Sequence, residues 1–150
     1  MNPKASIGKY FFNEKRPDEG VFYALRQANG KSFVEDCARR DPYRLSRILK
    51  TLKRIFDYGC GFGFDSKTIV EIKGAHVGVA VFEIRLKGAV IRIAAYIHAG
   101  YIPIYLFDFD THQGSANNLP KRFIKRAQEM AVLAKSCAEA YDFSDYSGER

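Results

Sequence analysis

The sequence predicts an α+β fold in which a small, mostly antiparallel twisted sheet follows an N-terminal helical hairpin and precedes a C-terminal helix. Three observations predict it. Residues 77–110 hold three runs of β-branched and aromatic residues separated by two short glycine-containing turns, the pattern of a β-meander. Residues 33–59 carry apolar side chains at helical spacing. Pro120 begins another helical stretch, which we expect to reach about residue 140.

The meander is expected to have one apolar and one polar face. If Lys87-Gly88 and Ala99-Gly100 are two-residue turns, Glu83 lies opposite Arg92, and Arg92 lies opposite Phe107. A turn longer by one residue would reverse the faces of the strand that follows it. The polar face then holds Glu83, Arg85, Arg92, Tyr96, Tyr105, Phe107 and Phe109. Guanidinium groups among aromatic rings suit phosphates and bases, so this face is the candidate functional surface.

The elements around the meander have clear end signals. A strand is expected over residues 21–26. Ser32 and Glu35 form a capping box for a helix over residues 33–40, and Asp41 and Pro42 begin a second helix, which we expect to stop at Gly59. The C-terminal helix carries positive charge in its first turns, where the helix dipole disfavours it. Those residues are Lys121, Arg122, Lys125 and Arg126.

The chain of 150 residues is expected to form a single domain. We place that domain at residues 21–140. Residues 1–20 are polar and rich in turn formers, which predicts an extension with little structure of its own, and residues 141–150 are expected to be a frayed tail.

The composition favours an anionic partner in a reducing compartment. The formal net charge is +7, which suits nucleic acid or an acidic protein. The three cysteines are widely spaced and form neither a disulfide framework nor a metal site. No apolar run approaches the roughly 20 residues that span a bilayer, and residues 1–10 lack the apolar core of a signal peptide. We therefore expect a cytoplasmic protein that makes no membrane contact.

A glycine-rich stretch suggests another function. Residues 56–63, F-D-Y-G-C-G-F-G, look like the first motif of S-adenosylmethionine-dependent methyltransferases, and Glu83 stands near the distance of a ribose-binding acid. However, the residues before this stretch have helical periodicity where that motif needs a strand. Tight hairpins also follow it, where a methyltransferase needs alternating strands and helices. We therefore expect a helix stop and a glycine loop here, without binding of that cofactor.

Several short motifs occur in a characteristic order along the chain. They are Val21-Phe22-Tyr23, Gly30, Phe33-Val34-Glu35-Asp36, the helix end from Leu49 to Gly59, Phe82-Glu83-Ile84-Arg85, Val90-Ile91-Arg92-Ile93, Ile104-Tyr105-Leu106-Phe107-Asp108-Phe109, and Leu119-Pro120 with Ile124 and Ala127. Their order and spacing resemble the RelE/ParE superfamily of toxins from bacterial toxin–antitoxin pairs, most closely its HigB-like and phage-related branch. The resemblance implies a RelE-like fold and a cognate antitoxin, expected to be a helix-turn-helix protein, as a partner.

The resemblance also implies a toxin that enters the ribosome and cleaves mRNA, without a metal or organic cofactor. In that chemistry the ribose 2′-hydroxyl attacks the adjacent phosphate, and Arg85 and Arg92 would stabilise the charge that develops. The lysine pair that usually follows the family's last strand is replaced here by a stretch containing Asp110 and His112. These two residues are the candidate acid and base, with Tyr96 and Tyr105 as further candidates. The residues expected to hold RNA are Lys87, Lys121, Arg122, Lys125 and Arg126.

Other interpretations stay open at this point. A ParE-like toxin would bind gyrase without cutting RNA, and the absence of the lysine pair is consistent with this alternative. A noncatalytic protein of the same fold would bind only its partner. Arg85 and Arg92 can also serve the sheet alone, by pairing with Glu83. Asp110 and His112 can be ordinary residues of a polar loop.

Overall fold

Residues 4–73, 78–111 and 119–150 are described by the computed structural model, and within them the chain forms six strands and three helices. The strands are β1 (Ser6–Phe11), β2 (Val21–Arg26), β3 (Ile69–Glu71), β4 (Phe82–Arg85), β5 (Ile91–His98) and β6 (Ile102–Asp110). The helices are α1 (Phe33–Arg40), α2 (Pro42–Asp65) and α3 (Lys121–Glu139). The α+β class and the order of elements from β2 to α3 agree with the prediction, whereas β1 and β3 are additional strands.

The strands form one mixed sheet in the order β1-β2-β6-β5-β4-β3. β2 runs parallel to β6, and the other neighbouring strands are antiparallel. The expected antiparallel meander is therefore only one part of a mixed sheet. β2 lies inside the sheet, between β1 and β6. Its residues from Val21 to Leu25 are all buried, as expected for a strand that is covered on both faces.

Both hairpin registers differ from the predicted ones. Arg85 pairs with Arg92, so the β4–β5 turn is two residues longer than predicted and every side chain keeps its face. His98 pairs with Ile102, and this three-residue connection reverses the first half of β6, which places Tyr105 on the opposite face. A bulge between Ala94 and Ala95 then shifts the register again. The second half of β6 thereby returns to its predicted faces.

Helices cover both faces of the sheet. α1 and α2 pack on one face over a core that includes Phe22, Ile84, Ile93 and Tyr105. α3 packs on the other face over a second core, which includes Tyr23, Ala94, Tyr96, Ile104 and Leu106. The face that the sequence predicts to be polar is therefore largely buried beneath α3, and its charged groups remain accessible only towards the end of the sheet.

The expected break at Gly59 is confirmed, but the glycine-rich residues after it are helical and do not form the expected loop. Gly59 breaks the helix with φ 91° and ψ 163°, a conformation that glycine adopts most readily. A Cβ at this position would also lie 2.9 Å from the carbonyl oxygen of Arg150. The helix then resumes and extends to Asp65. Residues 56–63 thus lack the strand-to-helix turn that an S-adenosylmethionine motif requires.

Both ends of the chain are more structured than expected. β1 pairs along its whole length with β2, and no strand was predicted there because its sequence lacks a clear alternating pattern. At the other end, aromatic rings of residues 141–146 pack around Tyr23. The backbone N–H of Glu149 donates to the carbonyl of Phe56 at 2.8 Å. Contacts with residues distant in the sequence order both segments.

The predicted helix starts are confirmed. The hydroxyl of Ser32 accepts from the N–H of Val34, and the carboxylate of Glu35 accepts from the N–H of Ser32, which completes the capping box. Asp41 caps α2 through the N–H of Arg44 at 3.0 Å. Among the helices of the described ranges, none is both long and apolar enough to cross a membrane.

Candidate phosphate-binding site

Two arginines lie directly opposite each other on neighbouring strands. Arg85 is the last residue of β4, and Arg92, near the start of β5, is its pairing partner. Both side chains are on the α3 side of the sheet, since Ala94 and Phe109 on the same face belong to the α3 core. Like charges in this position are destabilising, and Cβ atoms of such pairs are about 5 Å apart. The arrangement concentrates positive charge at the end of the sheet.

Glu83 offsets only part of that charge. Its carboxylate is almost completely buried and accepts a hydrogen bond from the Nε of Arg85, two residues along the same strand. Arg92 instead donates from Nη1 to the backbone carbonyls of Ala89 and Ile91, at 2.9 and 3.1 Å. The predicted pairing of Glu83 with Arg92 across the strands is therefore wrong, because Glu83 pairs with Ala94.

The guanidinium of Arg92 is the least satisfied charged group of the site. Burial, together with the neighbouring positive charge of Arg85, lowers the pKa of Arg92 from its usual value, although Glu83 opposes this shift. Its Nε is buried and has no hydrogen-bond partner among the described residues. A buried polar atom without a partner is uncommon and often marks a site for a water or an ion. Arg92 is therefore well suited to an anionic ligand.

Aromatic rings adjoin the two arginines. Arg92 pairs with Phe109 on β6. The Phe109 ring stacks on Phe123 of α3, with centroids 5.4 Å apart and an interplanar angle of 29°. Phe107 lies 5.9 Å from Phe109, centroid to centroid. We call Arg85, Arg92, Phe107, Phe109 and Phe123 the arginine–phenylalanine patch. The guanidinium groups can hold phosphate by charge, whereas Phe107 and Phe109 are buried, so only the half-buried ring of Phe123 can meet a base.

The first turns of α3 add further positive charge to the patch. Arg126 places its guanidinium 4.3 Å from the centroid of Phe107, and Arg122 places its own 5.1 Å from that of Phe123. The helix begins without a side-chain cap and without an acidic residue in its first turn. Cations at this end oppose the helix dipole. The four cationic residues predicted on this helix are all exposed, namely Lys121, Arg122, Lys125 and Arg126.

Asp110 lies on the other face of the sheet from Arg92. Its carboxylate accepts from the Nη1 of Arg44 on α2 at 2.8 Å, and Asp108 accepts from the Nε of the same arginine at 2.8 Å. Arg44 was not singled out from the sequence, because its pairing depends on how α2 packs across β6. This fork-like contact occupies Asp110, and the structure does not bring Asp110 together with Arg85 and Arg92.

The two tyrosine candidates are also remote from the arginine pair. Tyr105 is fully buried in the α1–α2 core, where burial raises the pKa of its hydroxyl well above the usual value. Tyr96 is on the α3 face but four residues along β5 from Arg92, about 13 Å at the usual rise of a strand. Its hydroxyl lies 3.3 Å from the Nδ1 of His98. His112, the remaining candidate, lies outside the described residues.

A cleft of about 400 Å³ lies between α2 and β3, at the edge of the sheet. We call it the α2–β3 cleft, and Arg85 is among its lining residues. Its lining residues are Thr51, Arg54, Ile55, Phe62, Gly63, Ser66, Lys67, Thr68, Arg85 and Lys87. Four of them are cationic and none is acidic. The sequence does not predict this cleft, because Phe62, Gly63, Ser66 and Lys67 fall in the expected loop after Gly59 and the contact of α2 with β3 depends on the tertiary fold.

The described residues contain no group of three or more His, Cys, Asp or Glu side chains placed to hold a metal ion. Comparison with protein-family models, with curated proteins and with solved structures finds no match for this chain. The function is therefore inferred from the site itself and from the motifs in the sequence.

Proposed function

We propose that this protein is a toxin of the RelE/ParE superfamily that acts as a ribosome-dependent mRNA endonuclease in the cytoplasm, with a helix-turn-helix antitoxin as its partner. The observation that carries the proposal is the direct pairing of Arg85 with Arg92, together with the buried Nε of Arg92, which has no partner among the described residues. The order strand, helical hairpin, strands and final helix, from β2 to α3, supports the same proposal.

The proposed chemistry needs charge stabilisation at one phosphate of the mRNA. The ribose 2′-hydroxyl attacks that phosphate, the bond to the leaving 5′-oxygen breaks, and a cyclic phosphate remains. Arg85 and Arg92 would stabilise the added negative charge of the pentacoordinate state, and removing one such contact typically costs about 10²–10³ in rate. The half-buried ring of Phe123 would stack a base beside the phosphate, and the exposed cations of α3 would hold RNA in a salt-dependent manner.

One specific observation favours a second candidate function. Asp110 is ion-paired with Arg44, and neither Tyr96 nor Tyr105 is near the arginine pair. His112 is then the remaining general acid among the candidates. If His112 does not take that role, the same surface binds without cutting RNA, as in a ParE-like gyrase-binding toxin or a noncatalytic binding protein.

Primer-extension mapping of cellular mRNA after brief induction tests the proposal. We expect new 3′ ends within translated regions for the wild type, and their loss in Arg92→Met. Lys15→Gln is a control of equal charge loss, since Lys15 is exposed in the connection between β1 and β2, at the opposite edge of the sheet from β4. Growth arrest with intact mRNA and linear, cleaved chromosomal DNA would instead support the gyrase-binding alternative.

A further inference from the structure

We propose that the α2–β3 cleft is a binding site for a nucleoside 5′-phosphomonoester, with the phosphate held by its cations and the base stacked on Phe62. This proposal does not depend on RNA cleavage by the arginine–phenylalanine patch. A volume of about 400 Å³ lies within the range of sites for small ligands. The same chemistry occurs in a free nucleotide and at the 5′-phosphorylated end of an RNA, and the experiment below distinguishes these two sources.

The charges of the cleft select an anion. Arg54, Lys67 and Lys87 are exposed and make no ion pair with the described residues, and no acidic side chain belongs to the lining. Arg85 also borders the cleft, but its side chain is on the α3 side of the sheet, where it donates to Glu83. Cations near the C-terminal end of α2 also complement the helix dipole. That role accounts for one or two of these cations, but not for Arg54, Lys67 and Lys87 together around one cleft.

The hydroxyl groups at the same place are largely engaged within the chain. The hydroxyl of Ser66 donates to the carbonyl of Gly63 at 3.2 Å and lies 2.9 Å from the hydroxyl of Thr68, which is then the donor of that pair. Thr51 also lines the cleft, from the middle of α2. The cations therefore supply the hydrogen bonds to a phosphate, and such charge-assisted bonds are stronger than neutral ones.

An aromatic wall provides a surface for the base. Phe62 is 40% exposed, and the ring of Tyr58, just before the break at Gly59, lies 5.1 Å from the Phe62 ring, centroid to centroid. Exposed rings beside a cationic groove are the usual means of binding nucleotide bases without sequence preference. Phe62 together with the cations therefore points to a nucleotide and not to an inorganic anion.

Lys67 has a left-handed backbone conformation, which is unusual for lysine. It follows the end of α2 with φ 60°, in the left-handed region where glycine is the usual residue. Its N–H donates to the carbonyl of Phe64 at 3.1 Å, which completes the helix end. Glycine would make the same bond without strain. The strained lysine therefore provides something that glycine cannot, and its side chain lines the cleft.

Replacement of Lys67 by glycine separates a structural role from a binding role. We expect Lys67→Gly to raise the midpoint of urea unfolding and at the same time to weaken AMP binding about tenfold or more in calorimetric titration. Phe62→Leu should also weaken AMP binding but leave the affinity for inorganic phosphate unchanged. Lys15→Gln, which removes one exposed charge far from the cleft, should change neither affinity.

The source of the ligand follows from two further probes, a short RNA with a 5′-phosphate and the same RNA with a 5′-hydroxyl. Tighter binding of the phosphorylated RNA than of AMP assigns the cleft to RNA ends, and the reverse assigns it to free nucleotides. The proposal is overturned if AMP does not bind, if it binds no tighter than inorganic phosphate, or if Lys67→Gly binds AMP as the wild type does. None of these results depends on whether Arg92→Met abolishes mRNA cleavage.

Discussion

Arg85 and Arg92 pair with each other across two strands, yet we expect the loss of Arg85 to destabilise the protein and the loss of Arg92 to leave its stability nearly unchanged. Arg85 is the hydrogen-bond partner of a carboxylate, that of Glu83, which is only 3% exposed. In Arg85→Met that charge is left buried without its partner, which typically costs about 3–5 kcal/mol of unfolding free energy. The side chain of Arg85 is itself 30% exposed, so we expect the lower end of this range.

Arg92→Met should be nearly neutral for stability, because its gains and losses offset each other. The substitution removes a buried Nε that has no partner among the described residues, which stabilises the fold by about 1–3 kcal/mol. It also removes the like-charge pair with Arg85, whose repulsion costs up to about 1 kcal/mol. It also removes two hydrogen bonds to the carbonyls of Ala89 and Ile91, which together contribute roughly 2–3 kcal/mol. The net change is expected to stay within about 1 kcal/mol.

Urea unfolding followed by circular dichroism measures both variants directly. The double variant Glu83→Gln, Arg85→Met is the matched control, since it removes the buried charge together with its partner and should recover most of the stability lost in Arg85→Met. A loss of more than about 2 kcal/mol in Arg92→Met would refute the reasoning. Arg92 would then be a structural residue of the β4–β5 turn and not a group held ready for an anion.

Three other predictions concern the rest of the chain. Burial raises the pKa of Glu35, but hydrogen bonds from Tyr10 and Ser32 outweigh it and lower the pKa. The contribution of Glu35 to stability is therefore present above about pH 4.3 and is lost as the pH falls through the lowered pKa. Tyr10→Phe should cost about 1 kcal/mol of unfolding free energy at pH 7 and flatten this acid dependence in urea unfolding measured at several pH values. Gly59→Ala should lower the unfolding free energy by about 1–3 kcal/mol, because of its positive φ and the contact of a Cβ with Arg150, whereas Gly61→Ala, with nothing within 4 Å, should not destabilise the protein. If RNA is cleaved, His112→Gln should slow cleavage about 10²–10⁴-fold and remove its pH dependence near neutrality while ribosome binding is kept, and an unchanged rate and pH profile would exclude His112 as the general acid.

The sequence by itself determined the features that depend on near neighbours. The capping box of Ser32 and Glu35 and the Asp41-Pro42 helix start each involve groups a few residues apart, and the structure confirms both. The apolar stripe of α2 and the proline at the start of α3 likewise act within one or two turns of a helix. Such signals are read correctly because no distant part of the chain is needed to satisfy them.

Tertiary structure decided which residues meet in the candidate site. The sequence predicts correctly that Arg85 and Arg92 lie on one face of the sheet. They pair directly with each other because the β4–β5 turn is two residues longer than predicted. Asp110 lies on the other face because β6 continues through it and successive side chains of a strand alternate, and Arg44, distant in sequence, binds it there. Tyr105 was buried because a three-residue turn reversed the first half of β6.

The α2–β3 cleft and the outer strand β1 depend even more on the whole fold. The helix was expected to stop at Gly59, and only its continuation to Asp65 brings Lys67 and Thr68 beside Arg85. β1 has a weak local pattern and forms because β2 offers it an unpaired edge. Local preferences determine where helices and strands begin. Strand registers, edge strands and ion pairs depend instead on distant parts of the chain, because backbone groups and charges that are buried between the helices must find hydrogen-bond or ionic partners there.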